Sequence, residues 1–272
     1  LEGPFRRCRV VSIRLLRNGL LQRQGRFPLL AIGQICMSRD TRKAFIGSHG
    51  KTYSFPPTAV AVNEGAFMDR GTLQSVWLND ELRVLGDSCF MRTSIRRMVL
   101  PSSVRKISCS TFAGCVNLQY ADLRAARGLK CLETSAFQGC RSLKRVLLGD
   151  DLKSVGSCAF KNSGLESFTA PASLCGIGRS AFANCKELRH ADLGACALRP
   201  EDDKDLFSEQ VFDGSGLESI VLPRTLRVIG DSTFAECGKL RLVSLGENPT
   251  LEEIGSQAFA NCALKSFAAP PS

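Results

Sequence analysis

The thirteen cysteines are the residues best equipped for chemistry in this chain, as metal ligands, disulfides or nucleophiles. No C-x-x-C occurs anywhere, so the usual zinc-knuckle pair is missing. Five of them, Cys115, Cys140, Cys185, Cys237 and Cys262, stand three residues after a phenylalanine, where Ser163 and Ser215 stand in other segments. A position that accepts Cys or Ser suits a small buried side chain, so free thiols are expected, although stacked turns would bring two within disulfide reach. The odd total also fits a reducing compartment or an unpaired thiol. There are only 2 histidines. His190 and Asp192 share one face if their segment is a strand, but no Ser or Cys nucleophile can be placed beside them, and a catalytic triad has no support. Gly176-Ile177-Gly178-Arg179-Ser180-Ala181 fits G-x-G-x-x-A, yet no long helix follows, so it does not read as a nucleotide site. No catalytic residue, cofactor or metal is expected.

The elements that carry these residues follow from a repeat. Phenylalanines recur at Phe45, Phe67, Phe90, Phe112, Phe137, Phe160, Phe182, Phe212, Phe234 and Phe259, mostly 22 to 25 residues apart with one interval of 30. Each follows a small or short side chain, most often Ala. Eight and five residues before most of them stand aliphatic pairs, as in Leu82/Leu85, Val104/Ile107, Leu152/Val155 and Leu226/Ile229, and the second is often followed by Gly. After each Phe from Phe67 on comes a third apolar series, such as Leu73-x-x-Val76-x-Leu78 or Leu217-x-x-Ile220-x-Leu222, several times ended by Pro. The last two apolar residues of that series alternate as in a strand with one buried face, and Pro or Gly ends the strand. One such unit cannot bury its apolar side. Stacked units can, with strands about 4.8 Å apart and the Phe rings inside.

The frame L-x-x-I-x-L-P-x-x-L-x-x-I-G-x-x-A-F-x-x-C resembles the BspA-type leucine-rich repeat, most clearly from Leu217 to Cys237, LESIVLPRTLRVIGDSTFAEC. The resemblance covers about residues 45–272. It implies a right-handed leucine-rich-repeat solenoid of about nine repeats with a parallel sheet, a β-rich fold. It also implies adhesion or protein binding, often at a cell surface.

Two stretches break the frame. Ala197 to Asp205 is polar and acidic and is expected to loop out of the stack. Residues 1–44 are Arg-rich and acid-poor and are open to three readings: an irregular cap on the first repeat, a targeting presequence, or a basic arm for an acidic partner. Of 36 Lys+Arg and 26 Asp+Glu, ten and two fall in residues 1–50. The rest of the chain is therefore nearly neutral, and nucleic-acid binding is not expected of it. No apolar stretch approaches the ~18 residues of a membrane span. The chain lacks an initiator Met and stops at Pro270-Pro271-Ser272 inside a repeat, so further repeats are expected beyond it.

Between the buried strand positions, outward side chains form columns from repeat to repeat. One reads Gln74, Arg96, Gln119, Lys144, Glu166, Arg189 and Glu218, the next Ser75, Arg97, Tyr120, Arg145, Ser167, His190 and Ser219, and the third Trp77, Val99, Asp122, Leu147, Thr169, Asp192 and Val221. Aromatic and apolar groups beside arginines are typical interface anchors. Trp77, Arg97, Tyr120, Arg145, Leu147 and His190 are therefore the candidate partner-binding surface. The leading functional expectation is a non-catalytic interaction or adhesion scaffold for a protein partner. The alternative is a regulatory or targeting module of an enzyme whose catalytic domain lies outside this chain. For location, the resemblance points to the cell surface, while the free cysteines and the lack of an Asn-x-Ser/Thr sequon point inward.

Overall fold

The structure is a computed structural model. It describes residues 51–196, 198, 207, 209–245 and 250–264, together with the backbone of residues 34 and 35. Residues 1–33, Phe45, most of the predicted outer loop and the end of the chain from residue 265 lie outside the described residues.

Every L-x-x-I-x-L segment forms a short strand. In chain order these are β2 (Thr52–Ser54), β4 (Ser75–Trp77), β6 (Arg97–Val99), β8 (Tyr120–Asp122), β10 (Arg145–Leu147), β12 (Ser167–Thr169), β14 (His190–Asp192), β15 (Ser219–Leu222) and β17 (Leu242–Leu245). Their pairing is parallel throughout, in the groups β2-β4, β6-β8-β10 and β12-β14-β15-β17. Single backbone bonds span the gaps between the groups: the Arg96 N–H donates to Gln74 O at 3.1 Å and the Glu166 N–H to Lys144 O at 3.3 Å. Each L-x-x-I-G return adds a two-residue strand on the other side. These are β1 (Gln34–Ile35), β3 (Ala61–Val62), β5 (Val84–Leu85), β7 (Lys106–Ile107), β9 (Cys131–Leu132), β11 (Ser154–Val155), β13 (Gly176–Ile177), β16 (Val228–Ile229) and β18 (Glu253–Ile254). The first seven make one parallel sheet and the last two another. A parallel bridge from Ile177 to Phe207 extends the seven-stranded sheet by one coil.

At the third corner sits the A-F turn, with two left-handed residues four apart. Around Phe137 these are Ser135 (φ 58°) and Gly139 (φ 71°), and around Phe182 they are Ser180 (φ 54°) and Asn184 (φ 58°). The alternation directs successive N–H groups in two directions. The Ala136 N–H closes its own turn on Glu133 O at 3.2 Å, while the Phe137 N–H reaches Ala159 O of the next coil at 2.8 Å. A left-handed non-glycine residue costs about 1–2 kcal/mol. The inter-coil bonds and the buried ring offset that cost.

The expected interior row is present. Nine rings, from Phe67 to Phe259, stack nearly parallel and offset, with centroids 5.1–5.6 Å apart and planes within 16°. They make eight coil-to-coil steps. Phe168 occupies the Ile position of its strand and wedges against Phe182 at 4.5 Å. Phe207 lies five residues before Phe212, the place held elsewhere by Val155 or Ile177, and is likewise buried.

The cysteine positions form a second interior row beside the rings. Each thiol donates to the carbonyl of the Phe one coil back: Cys115 to Phe90 at 3.0 Å, Cys140 to Phe112 at 3.2 Å, Cys185 to Phe160 at 3.0 Å, Cys237 to Phe212 at 3.1 Å and Cys262 to Phe234 at 2.9 Å. Hydroxyls complete the row where a thiol is replaced, with Thr93, Ser163 and Ser215 each 3.3 Å from the next sulfur. Every cysteine among the described residues is a free thiol. Burial pushes the Cys185 thiol up to about 11 and the Cys196 thiol to about 12. The folded chain therefore holds these protons to higher pH than the unfolded chain, and stability falls as pH rises from about 9 towards 11. Wild type is expected to lose more of its urea midpoint between those pH values than Cys185→Ser, whose hydroxyl does not titrate there.

Candidate protein-binding face

The long strands present alternate side chains outward because their middle residues are drawn into the core. Met98, Ala121, Phe168, Ala191 and Ile220 are buried. The flanking residues then line up by the parallel register. Arg97, Tyr120 and Arg145 lie opposite one another, and so do Val99, Asp122 and Leu147. Ser167, His190, Ser219 and Leu242 make the same column on the later strands. Trp77 is 68% exposed, Leu242 60% and Val99 58%, and all three stand on this face.

The six candidate residues all lie on this face, but they do not form one cluster. Arg97, Tyr120, Arg145 and Leu147 come together on β6 to β10. The Arg97 guanidinium sits over the Tyr120 ring, 5.1 Å from its centre, a cation–π contact. The Tyr120 hydroxyl donates to Asp122 Oδ2 at 3.1 Å. Arg124 grips the same carboxylate through two bonds of 3.0 and 2.7 Å and holds it below the usual carboxylate range. Trp77 stands one coil earlier, on the separate pair β2-β4. His190 lies two coils beyond Arg145 and is shared with Ser219, whose Oγ is 2.8 Å from Nδ1. Asp192 instead accepts the Gly194 N–H at 2.9 Å, so the two residues are neighbours on the face without forming a catalytic pair. An open depression of about 410 Å³ beside them is lined by Glu166, Glu187, Arg189 and His190.

Gly178 of the G-x-G-x-x-A stretch serves packing. A Cβ there would lie 2.6 Å from the backbone nitrogen of Ser157 in the preceding coil. Among the described residues no group of three or more His, Cys, Asp and Glu side chains is placed to hold a metal. Among the same residues no helix is long and apolar enough to cross a membrane. Sequence reasoning passed over Arg124 as a face residue. Its only signal is its place two residues after Asp122, just past the strand end.

Known proteins share this arrangement. A leucine-rich repeat protein from Bacteroides ovatus superposes with a TM-score of 0.56 over 84% of this chain and 69% of its own, at 20% identity. The leucine-rich repeat protein of T. pallidum gives 0.53 over 61% of this chain and 76% of its own, at 28% identity. A leucine rich cell surface protein from Faecalibacterium prausnitzii gives 0.40 over 74% and 62%, at 20% identity. No curated protein matches the chain. The sequence profile of the BspA type leucine-rich repeat region, in six copies, matches residues 41–126, 122–196 and 205–272. With most of its length covered by that profile and its coils stacked as described, the chain belongs to the BspA-type leucine-rich repeat family.

Proposed function

We propose that this chain is a non-catalytic protein-interaction scaffold whose long-strand face is the binding surface. The observation that supports this most is the exposed Val99 beside the Arg97–Tyr120–Arg145 row on strands held in fixed register, with exposed Trp77 one coil earlier on the same face. Stacking holds these side chains in place before a partner arrives, so little ordering entropy remains to be lost on binding. Large apolar and guanidinium groups at the centre of a contact carry most of its energy. Membership of a repeat family that generally serves interaction and adhesion agrees with this reading.

The test compares two variants against binders selected from a displayed protein library on the wild-type chain. Trp77→Ala with Arg97→Glu and Arg145→Glu is expected to lose most of them. Arg83→Glu with Lys106→Glu, on the opposite short-strand sheet, is expected to keep them. Retention by the first variant, with its fold intact, places the binding surface elsewhere.

A further inference from the structure

Building on that sheet-face reading, we propose that strands β6 to β10 bind an extended acidic peptide segment that also carries apolar side chains. The argument starts from charge. Arg96, Arg97 and Arg145 are exposed, and none of them makes an ion pair among the described residues. Lys144 beside them is paired with Glu166 at 3.0 Å. The one carboxylate that these columns carry on β6, β8 and β10, Asp122, is already held by Arg124 and by the Tyr120 hydroxyl. The three free guanidinium groups therefore set an uncompensated positive field over three adjacent coils.

The second argument is orientation. Arg97 lies against the Tyr120 ring, which fixes its plane and leaves its outer N–H groups for a planar, two-point acceptor. A carboxylate supplies that acceptor.

The third argument separates a peptide from other polyanions. Val99, exposed, and Leu147, half-buried, stand on either side of the Arg124-held Asp122, two residues along the strands from Arg97 and Arg145, a distance of about 6.6 Å, and make two apolar points on that margin. An extended polypeptide carries carboxylates and alkyl groups at similar intervals. A sulfated polysaccharide or a nucleic-acid strand offers anions but no alkyl side chain for that margin.

The experiment uses the whole chain and a fluorescein-labelled extended peptide of about twelve residues, Glu-Ser-Leu-Ser repeated, which puts glutamate and leucine on one face about 6.6 Å apart, read by anisotropy at about 50 mM NaCl. Two further peptides replace every glutamate by glutamine or every leucine by serine, and heparin is the fourth probe. The glutamate–leucine peptide is expected to bind, with affinity falling about tenfold or more for R97E/R145E and for either altered peptide, and by less than about twofold for R83E/K106E. If R97E/R145E does not fold, R97Q/R145Q replaces it, with a loss of about fivefold expected. Undiminished binding by the folded double variant overturns the proposal. So does equal or tighter binding of heparin or of the serine peptide, which marks a surface for polyanions in general. The sheet-face reading fails by a different result, the survival of library-selected partners in the triple variant.

Discussion

Phe160→Ala is expected to cost about 3–5 kcal/mol of stability. Phe160 is fully buried at the middle of the ring row, stacked on Phe137 at 5.5 Å and on Phe182 at 5.3 Å, with Phe168 tilted against it at 6.2 Å. Removing the ring leaves a cavity between two coils whose backbones are fixed on three sides by hydrogen bonds, so the walls cannot close on it. Three ring–ring contacts vanish as well, each worth about 0.5–1.5 kcal/mol beyond buried area. Because each coil touches only its neighbours, the damage falls on one interface of the stack. Urea unfolding followed by far-ultraviolet circular dichroism is expected to show a lower midpoint and a broader transition. Phe259→Ala, at the half-buried last ring among the described residues, is the comparison, and its loss is expected to be clearly smaller. Equal losses at the two sites contradict a continuous interior row.

Gly216→Ala is expected to destabilise by about 1–3 kcal/mol or more, where a tolerated Gly→Ala change elsewhere gains about 0.4–1 kcal/mol. Ser215-Gly216, like Ser163-Gly164, stands where other coils have the cysteine turn, and it brings the chain hard against the coil before it. A Cβ on Gly216 would lie 2.8 Å from the Lys186 carbonyl carbon and closer still to its oxygen. Backbone cannot give way there without stretching the bond from the Gly216 N–H to Cys185 O, now 3.0 Å, and the Ser215–Cys237 contact of 3.3 Å. Gly164 faces Arg141 in the same way and is expected to behave alike. Thermal melts of the two variants decide the matter by sign: a gain in melting temperature at either position contradicts the close approach.

The ring row and the thiol row were legible in the sequence because each coil restates them at the same place. Two core residues escaped for a physical reason. Phe168 stands where the pattern asks for an aliphatic strand residue, and Phe207 follows the irregular stretch that breaks the frame, though it keeps its five-residue distance to Phe212. The left-handed turns were only half visible. Ser, Asn and Gly announce such a backbone, but Arg92 (φ 55°) and Glu236 (φ 58°) adopt it because the stack imposes it. On the face, the columns follow from the two-residue period of a strand, so Trp77, Arg97 and Arg145 could be placed outward in advance. The leaning of Arg97 on Tyr120 and the capture of Asp122 by Arg124 are rotamer choices that no spacing encodes.

The inter-coil hydrogen bonds have one more consequence. Since successive coils offer one another the same carbonyls and the same ring, and from Phe90 on a thiol or hydroxyl as well, a whole coil is the smallest unit by which the stack can lengthen or shorten in evolution. Gain or loss of 22 residues, the commonest Phe interval, leaves all rows continuous. A few extra residues keep the rows in line only when they leave the frame as a loop, as in the 25- and 30-residue intervals whose rings still stack at 5.1–5.2 Å. Distances between surface features are thus quantised, and Trp77 can be shifted against Arg145 only in increments of about 4.8 Å, like graduations on a ruler.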